Sequence, residues 1–171
     1  QVYFRENIRV DNLVRIDDRL IHGQVVVGWG SRLNPDYIIL SDDDIASDET
    51  ESELYLLGVP FEYEGKVLGF SNTVDFIKEK PKKKCIIVVN SPNSIKDLIE
   101  YGLEIDQLNI GGMHSKEGKK EINHYVYLNE KDYNDLKELS GKGVGIYIQD
   151  LPGERKYNMK FIIDQWKKYE K

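Results

Sequence analysis

Residues 84–90 read Lys-Cys-Ile-Ile-Val-Val-Asn, and Ser91-Pro92-Asn93 follow at once. Four consecutive β-branched residues, 86–89, without polar alternation fit a strand covered on both faces, as in a parallel sheet between helices. Serine at a cap position and proline at the next then open a helix. Ile95, Leu98 and Ile99 mark its buried face, and Gly102 its end. The same alternation extends in both directions. Residues 13–17, 37–41, 66–70, 107–110 and 144–149 read as further strands, and 125–128 as an extra one. Residues 20–33, 48–57, 71–80, 129–139 and 160–169 read as helices. Leu54, Tyr55 and Leu57 give the second of these its apolar face and Gly58 closes it; Ser71-Asn72-Thr73 caps the third and Pro81 stops it. Gly111-Gly112 is expected to break the strand before it. Strands separated by helices imply right-handed crossovers, hence an α/β fold: a single three-layer α/β/α domain with a mostly parallel central sheet.

Composition sets the outer limits. At 171 residues the chain has room for one ordinary domain. With 40% hydrophobic and 32% charged residues it is neither a disordered chain nor a membrane span. A net charge of −6 argues against general binding to nucleic acid or anionic lipid, which a basic face would serve. A single cysteine, Cys85, rules out an internal disulfide and a thiolate zinc cluster. Gln1 to Asn12 is polar and mixed in charge, unlike a signal peptide, so a cytoplasmic setting is expected. Residues 1–11 read as an N-terminal extension, the first seven as a cloning remnant or a trimmed end, and residues 12–171 as the domain.

In open parallel sheets, ligands bind beyond the carboxyl ends of the strands. Five polar or glycine-rich segments follow such ends: 17–24, 42–44, 90–93, 111–115 and 149–153. The first is the most unusual. Arg15-Ile16-Asp17-Asp18-Arg19-Leu20-Ile21-His22-Gly23-Gln24 packs two arginines, two carboxylates and a histidine around a strand-to-helix turn. A helix N-terminus suits an incoming phosphate, Arg19 offers a planar clamp, and Gly23 admits a close backbone approach. A histidine with one ring nitrogen held has a nucleophilic second one. The plain alternative is a capping loop with a surface histidine and an Asp–Arg pair; residue types alone leave both open.

RIDDRLIHGQV, residues 15–25, resembles the active-site segment of the IIB subunits of the mannose/fructose/sorbose family of the bacterial sugar phosphotransferase system (PTS). The similarity runs along nearly the whole chain. Trp29 falls where that family often has tryptophan. Asp42-Asp43-Asp44-Ile45-Ala46 resembles its Asn-Asp-Glu-Val-Ala, with Asp42 in place of Asn, and Asn109-Ile110-Gly111-Gly112-Met113 matches its Asn-Val-Gly-Gly-Met. Residues 55–76 are only loosely similar.

The resemblance implies a protein-histidine phosphotransferase. A IIA protein phosphorylates the histidine of the HGQ motif, here His22, which passes the phosphoryl group to a sugar held by the membrane subunits IIC and IID. The chain is then cytoplasmic but peripheral to the inner face of the membrane through IIC/IID. A phosphohistidine intermediate needs no further cofactor, and a relay without nucleotide needs no Mg²⁺ clamp. Phosphoryl transfer is mainly alignment and charge stabilisation. Arg19 is the first candidate to stabilise the phosphoryl oxygens, and Asp17 to orient His22, with Asp18 as the alternative. Arg15, Gly23, Gln24, Asp42, Ser71, Gly111 and Gly112 are candidates for phosphate contacts or the site rim. The resemblance also suggests Nδ1 as the phosphorylated nitrogen and leaves a homodimer open.

The remaining signals are weaker. His114 and His124 share no helical spacing or carboxylate frame that would hold a metal, so no metal site is expected. Cys85 stands at the start of a strand, the wrong end for a phosphocysteine. Residues 80–84 read as a solvated turn, residues 112–119 miss the phosphate-loop spacing by one, and Gly141-Lys142-Gly143 precedes its strand. Two other functions are weighed against the carrier. A receiver-type domain phosphorylated in Asp42-Asp43-Asp44 would need Mg²⁺ and form a base-labile acyl phosphate. A non-catalytic sugar- or partner-sensing module would take up no phosphate.

Overall fold

A computed structural model describes residues 12–171, so the expected extension at residues 1–11 lies outside the described residues. The central strands are β1 (Leu13–Asp17), β2 (Tyr37–Ser41), β3 (Glu64–Leu68), β4 (Cys85–Val89), β5 (Gln107–Gly112) and β8 (Gly145–Ile148). They run parallel in the order β3-β2-β4-β1-β5-β8, and the two-residue strand β9 (Tyr157–Asn158) adds antiparallel to β8. A small antiparallel ribbon, β6 (Lys120–Asn123) with β7 (Val126–Leu128), packs beside them. The helices are α1 (Gly30–Leu33), α2 (Asp43–Ser47), α3 (Glu49–Leu56), α4 (Phe70–Glu79), α5 (Pro92–Glu100), α6 (Glu130–Gly141) and α7 (Met159–Lys167). The three-layer reading holds.

Period-two alternation within the buried strands builds two cores. Leu13, Ile38, Leu40, Ile86 and Val88 face the segment that leads into α1, while Val14, Ile16, Ile39, Ile87 and Val89 face the layer of α4 to α7. All five residues of β4 are buried, as its apolar run requires. Each such side chain removed from water contributes about 1.5–3 kcal/mol.

Several local expectations give way. The helix expected at 20–33 starts late. Asp17 to Leu20 closes a tight turn, Leu20 N–H donating to the Asp17 carbonyl at 2.9 Å, and Leu20 takes a left-handed φ of 60°. That conformation costs a β-carbon about 1–2 kcal/mol, offset by burial of the Leu20 side chain beside Ile21 and Val25. The apolar spacing of Leu20 and Ile21 therefore reflects burial of a loop. Winding begins at Gly23 and is π-helical from Gln24–Trp29 before running on into α1. Wide turns of this kind occur often at functional sites.

Gly111 and Gly112 do not break β5 but complete it. The third strand lies two residues early, at Glu64–Leu68, because Gly69 and Phe70 already start α4. Asp43 reaches across from α2 to accept the Phe70 N–H, so Ser71 lies exposed inside the first turn of α4 and caps nothing. Leu54 and Leu57, expected to form a buried face, are exposed.

This topology fixes where a site can form. The chain leaves β1 toward β2 on one side of the sheet and leaves β5 toward β8 on the other. β1 and β5 are neighbours, so their carboxyl ends flank a switch point, the usual place for a ligand crevice.

Candidate active site

Asp17 ends β1 at that switch point, opposite Gly112 of β5, where the register shifts. Its carboxylate is fully buried. Oδ1 accepts from the Arg19 backbone N–H at 3.1 Å and from Arg19 Nε at 2.9 Å; Oδ2 accepts from Arg19 Nη2 at 2.9 Å and Arg15 Nη2 at 2.8 Å. Burial alone would raise the Asp17 carboxyl. The hydrogen bonds from His22 and Arg19 and the charge of Arg15 outweigh it and hold the group well below the usual carboxylate range.

Arg15 is an internal strut rather than a rim cation. It is 0% exposed, and Nη1 donates to Asn109 Oδ1 at 2.7 Å and to the carbonyls of Gln149 and Asp150 at 3.1 and 2.9 Å. Nη2 also meets Asp150 Oδ1 at 3.1 Å, and the Trp29 ring lies 5.7 Å away. Gly111 makes this possible. A β-carbon there would fall 1.8 Å from Arg15 Cζ, so the glycine leaves room for a guanidinium and does not cradle an anion. Both expectations of anion contact are corrected. Gly112 is tight for a related reason: a β-carbon would lie 3.1 Å from Arg19 Nη2 and 3.3 Å from Asp17 Oδ1.

Arg19 is 29% exposed and grips both oxygens of Asp17. Nη2 also reaches Asp150 Oδ1 at 3.1 Å, while Nη1 meets the side-chain oxygen of Gln24 on the first helical turn. Burial alone would lower its pKa, but Asp17 and Asp150 raise it, so the guanidinium stays charged. Two arginines and two aspartates thus form a neutral cluster beneath the histidine.

His22 precedes the helical winding and is 19% exposed. Its Nε2 lies 3.0 Å from Asp17 Oδ2. An ionised carboxylate only accepts, so in the neutral ring Nε2 carries the proton and Nδ1 the lone pair. The Gln24 backbone N–H points at Nδ1 from 3.4 Å, and a β-carbon on Gly23 would meet nothing within 4 Å. Nδ1 therefore lies at the helix start, met there by a backbone donor, with open space beside it at Gly23. The structure brings Asp17, Arg19, His22, Gly23, Gln24 and Gly112 together.

It separates others. Asp18 turns away from His22: its carboxylate accepts the His114 backbone N–H at 2.7 Å and pairs with ring Nδ1, while its own N–H donates to the Gly112 carbonyl at 3.1 Å. Asp42 caps α2 by accepting from Ile45 N–H at 2.9 Å and takes a 3.3 Å bond from Asn90, pairing with neither arginine. Ser71 follows β3, three strands and about 14 Å from β1 across the sheet. Ser91 caps α5. Asp150 and Asn109 carry site roles that residue type alone did not reveal, and Trp29 Nε1 fastens the Asp150 carbonyl at 2.7 Å. The position of Asp150 just past the carboxyl end of β8 is the one signal that points to it.

The family described as PTS system sorbose subfamily IIB component matches residues 11–171. The chain belongs to this family. It is 36% identical to the N-acetylgalactosamine-specific phosphotransferase enzyme IIB component 1 of Escherichia coli, over 84% of this chain and 92% of that protein. It is 32% identical to the fructose-specific EIIB component of Bacillus subtilis, over 83% and 88%. The mannose-specific EIIAB component of E. coli is 30% identical over 91% of this chain, which spans only 49% of that longer protein. Among solved structures, the IIBSor domain of the sorbose permease from Klebsiella pneumoniae superposes with a TM-score of 0.83 at 29% identity, covering 90% of this chain and 96% of that one. The E. coli N-acetylgalactosamine-specific IIB component 1 gives 0.79 at 33% identity, covering 84% and 95%.

A PTS IIB component accepts phosphate from IIA and passes it on to sugar, working in this family with IIA and the membrane subunits IIC and IID. Among the described residues of this IIB component, no group of three or more His, Cys, Asp or Glu is placed to hold a metal ion, and no helix is long and apolar enough to cross a membrane. Cys85 is buried at the start of β4 and its thiol is pushed up to about 12 by burial, far from thiolate chemistry.

Proposed function

We propose that this IIB component carries its phosphoryl group on Nδ1 of His22, received from phospho-IIA and delivered to a sugar held by IIC and IID at the inner face of the membrane. The observation that carries the reading is the fixed Nε2–Asp17 bond, which directs the Nδ1 lone pair toward the open helix start. Nδ1 attacks phosphorus as the donor P–N bond breaks, its electron pair returning to the donor imidazole. The phosphorylated ring keeps its Nε2 proton, and buried Asp17 balances the positive charge. The same proton leaves His22 a neutral leaving group when the phosphoryl group moves on.

Arg19 holds Asp17 on the other side. Its Nη1 meets the phosphoryl oxygens once the Gln24 side chain turns aside, and the Gln24 backbone N–H donates to the same group. The phosphohistidine is the only intermediate, and no separate cofactor takes part.

The test is reconstitution with phosphoenolpyruvate, the general phosphotransferase proteins and a cognate IIA. The expected product is an acid-labile phosphoramidate absent from His22→Ala. Undiminished uptake by that variant, or no uptake by the native chain, overturns the reading; the second result is what a sensing module gives.

A further inference from the structure

Residues 42–64 hold nine Asp or Glu and no Lys, Arg or His, leaving 21 acidic and 24 basic residues elsewhere. The chain's net acidity therefore lies entirely in this stretch, the excursion from β2 through α2 and α3 to the start of β3. The same stretch carries the most exposed large apolar side chains among the described residues: Phe61 at 96%, Leu57 at 82% and Leu54 at 65%. Leu54, in the last turn of α3, and Leu57, its C-cap, are three apart on one side of the winding, and α3 has no buried residue. Large apolar side chains left exposed among charges suit an interaction surface.

This patch adjoins the phosphoacceptor loop. A β-carbon on Gly58 would lie 3.8 Å from Cγ2 of Ile21, the residue before His22, and Tyr55 and Val59 pack on the cluster that holds Ile21. The patch therefore borders the loop that carries His22.

We infer that the acidic, apolar face of α3 and the turn after it is where this IIB component docks on the cytoplasmic loops of its membrane subunits. Charge selects that occupant. Cytoplasmic loops of membrane proteins carry an excess of Lys and Arg, which complements this rim. The anionic lipid around them repels it, so attachment runs through protein. The inference rests on the family's use of IIC and IID, and the experiment separates it from the His22 reading.

Two double variants, Leu57→Ser/Phe61→Ser and Glu53→Lys/Glu62→Lys, alter only exposed side chains. Each is sedimented with inside-out vesicles from cells that make the cognate IIC and IID, and with vesicles from cells that lack them. Phosphoryl acceptance from phospho-IIA is measured separately in solution. The native chain is expected to bind only the first vesicles, more weakly in high salt. Each variant should bind about tenfold more weakly or worse, with acceptance from IIA within about twofold of native. Undiminished vesicle binding overturns the inference. So does lost acceptance from IIA with vesicle binding intact, which assigns the patch to IIA, or a native dimer that the apolar variant converts to monomer with vesicle binding intact. His22→Ala should keep vesicle binding. If the native chain takes no phosphate on His22 while the variants still lose the vesicles, the docking face stands and the phosphoacceptor reading falls.

Discussion

Asp17→Asn removes one charge and keeps nearly the same shape, so its two consequences can be worked out separately. The first is stability. Asp17 shares Arg15 with Asp150, and Arg15 has no access to solvent. Taking one partner from a buried ion pair costs about 3–5 kcal/mol. With a urea m-value of about 2 kcal/mol per M, the unfolding midpoint should fall by about 1.5–2.5 M. The loss should depend on pH with a definite sign. The folded carboxyl titrates well below the usual carboxylate range, so its contribution is fully present above about pH 5. As pH falls through 4, the unfolded chain takes up a proton that the folded chain refuses, and the gap between native and variant should narrow. The second consequence is on the reaction. An amide at this position offers His22 Nε2–H a neutral acceptor, or a donor that selects the wrong tautomer. Phosphoryl uptake from IIA should fall by about 10²–10⁴, the range for a positioned proton partner. Equilibrium urea unfolding at pH 7 and pH 3, with stopped-flow uptake at pH 7, gives both. A midpoint shift below about 0.3 M refutes the buried-pair argument, and native uptake rates refute the orienting role.

Other substitutions test the neighbouring parts. Cys85→Ala should keep native uptake, and the native thiol should stay unreactive to a disulfide reagent until the chain unfolds; lost phosphorylation in this variant would point to a phosphocysteine. Gly111→Ala forces its methyl into the Arg15 guanidinium, and thermal unfolding should show a loss of about 3 kcal/mol or more; an unchanged transition would show that Arg15 can be moved at little cost. Gly23→Ala meets no atom in the fold, keeps a helical φ and should stabilise it by about 0.4–1 kcal/mol. It should slow uptake about tenfold or more if the phosphoryl group fills that space, and an unchanged rate would place the group elsewhere.

The sheet could be read from its sequence because each parallel strand is a short β-branched run and each crossover helix has its own stop. Cys85–Val89 followed by the Ser91 cap and Pro92 is the plainest case. The site was legible where its residues are contiguous, from Asp17 to Gln24. Its other half comes from far along the chain, since Asp150 meets Arg15 across 135 positions and a charged residue after a strand looks like any loop. Arg15 misled because arginine is almost never fully buried unless paired, and its partners Asn109, within β5, and Asp150, beyond β8, lie far along the chain. Gly111 misled in the same way, since a glycine pair after a strand suits an anion as well as it suits a buried guanidinium. The exposed leucines of α3 follow helical spacing without a core to meet, which periodicity cannot tell from burial.

With only His22, His114 and His124 in the chain, long-range ¹H–¹⁵N correlation of ¹⁵N-histidine protein before and after phosphorylation by IIA puts the central claim to its most direct test. The expected spectrum changes one ring alone, His22, with phosphorus on Nδ1 and a proton kept on Nε2. Phosphorylation at Nε2 of His22, or on the ring of His114 or His124, would contradict it.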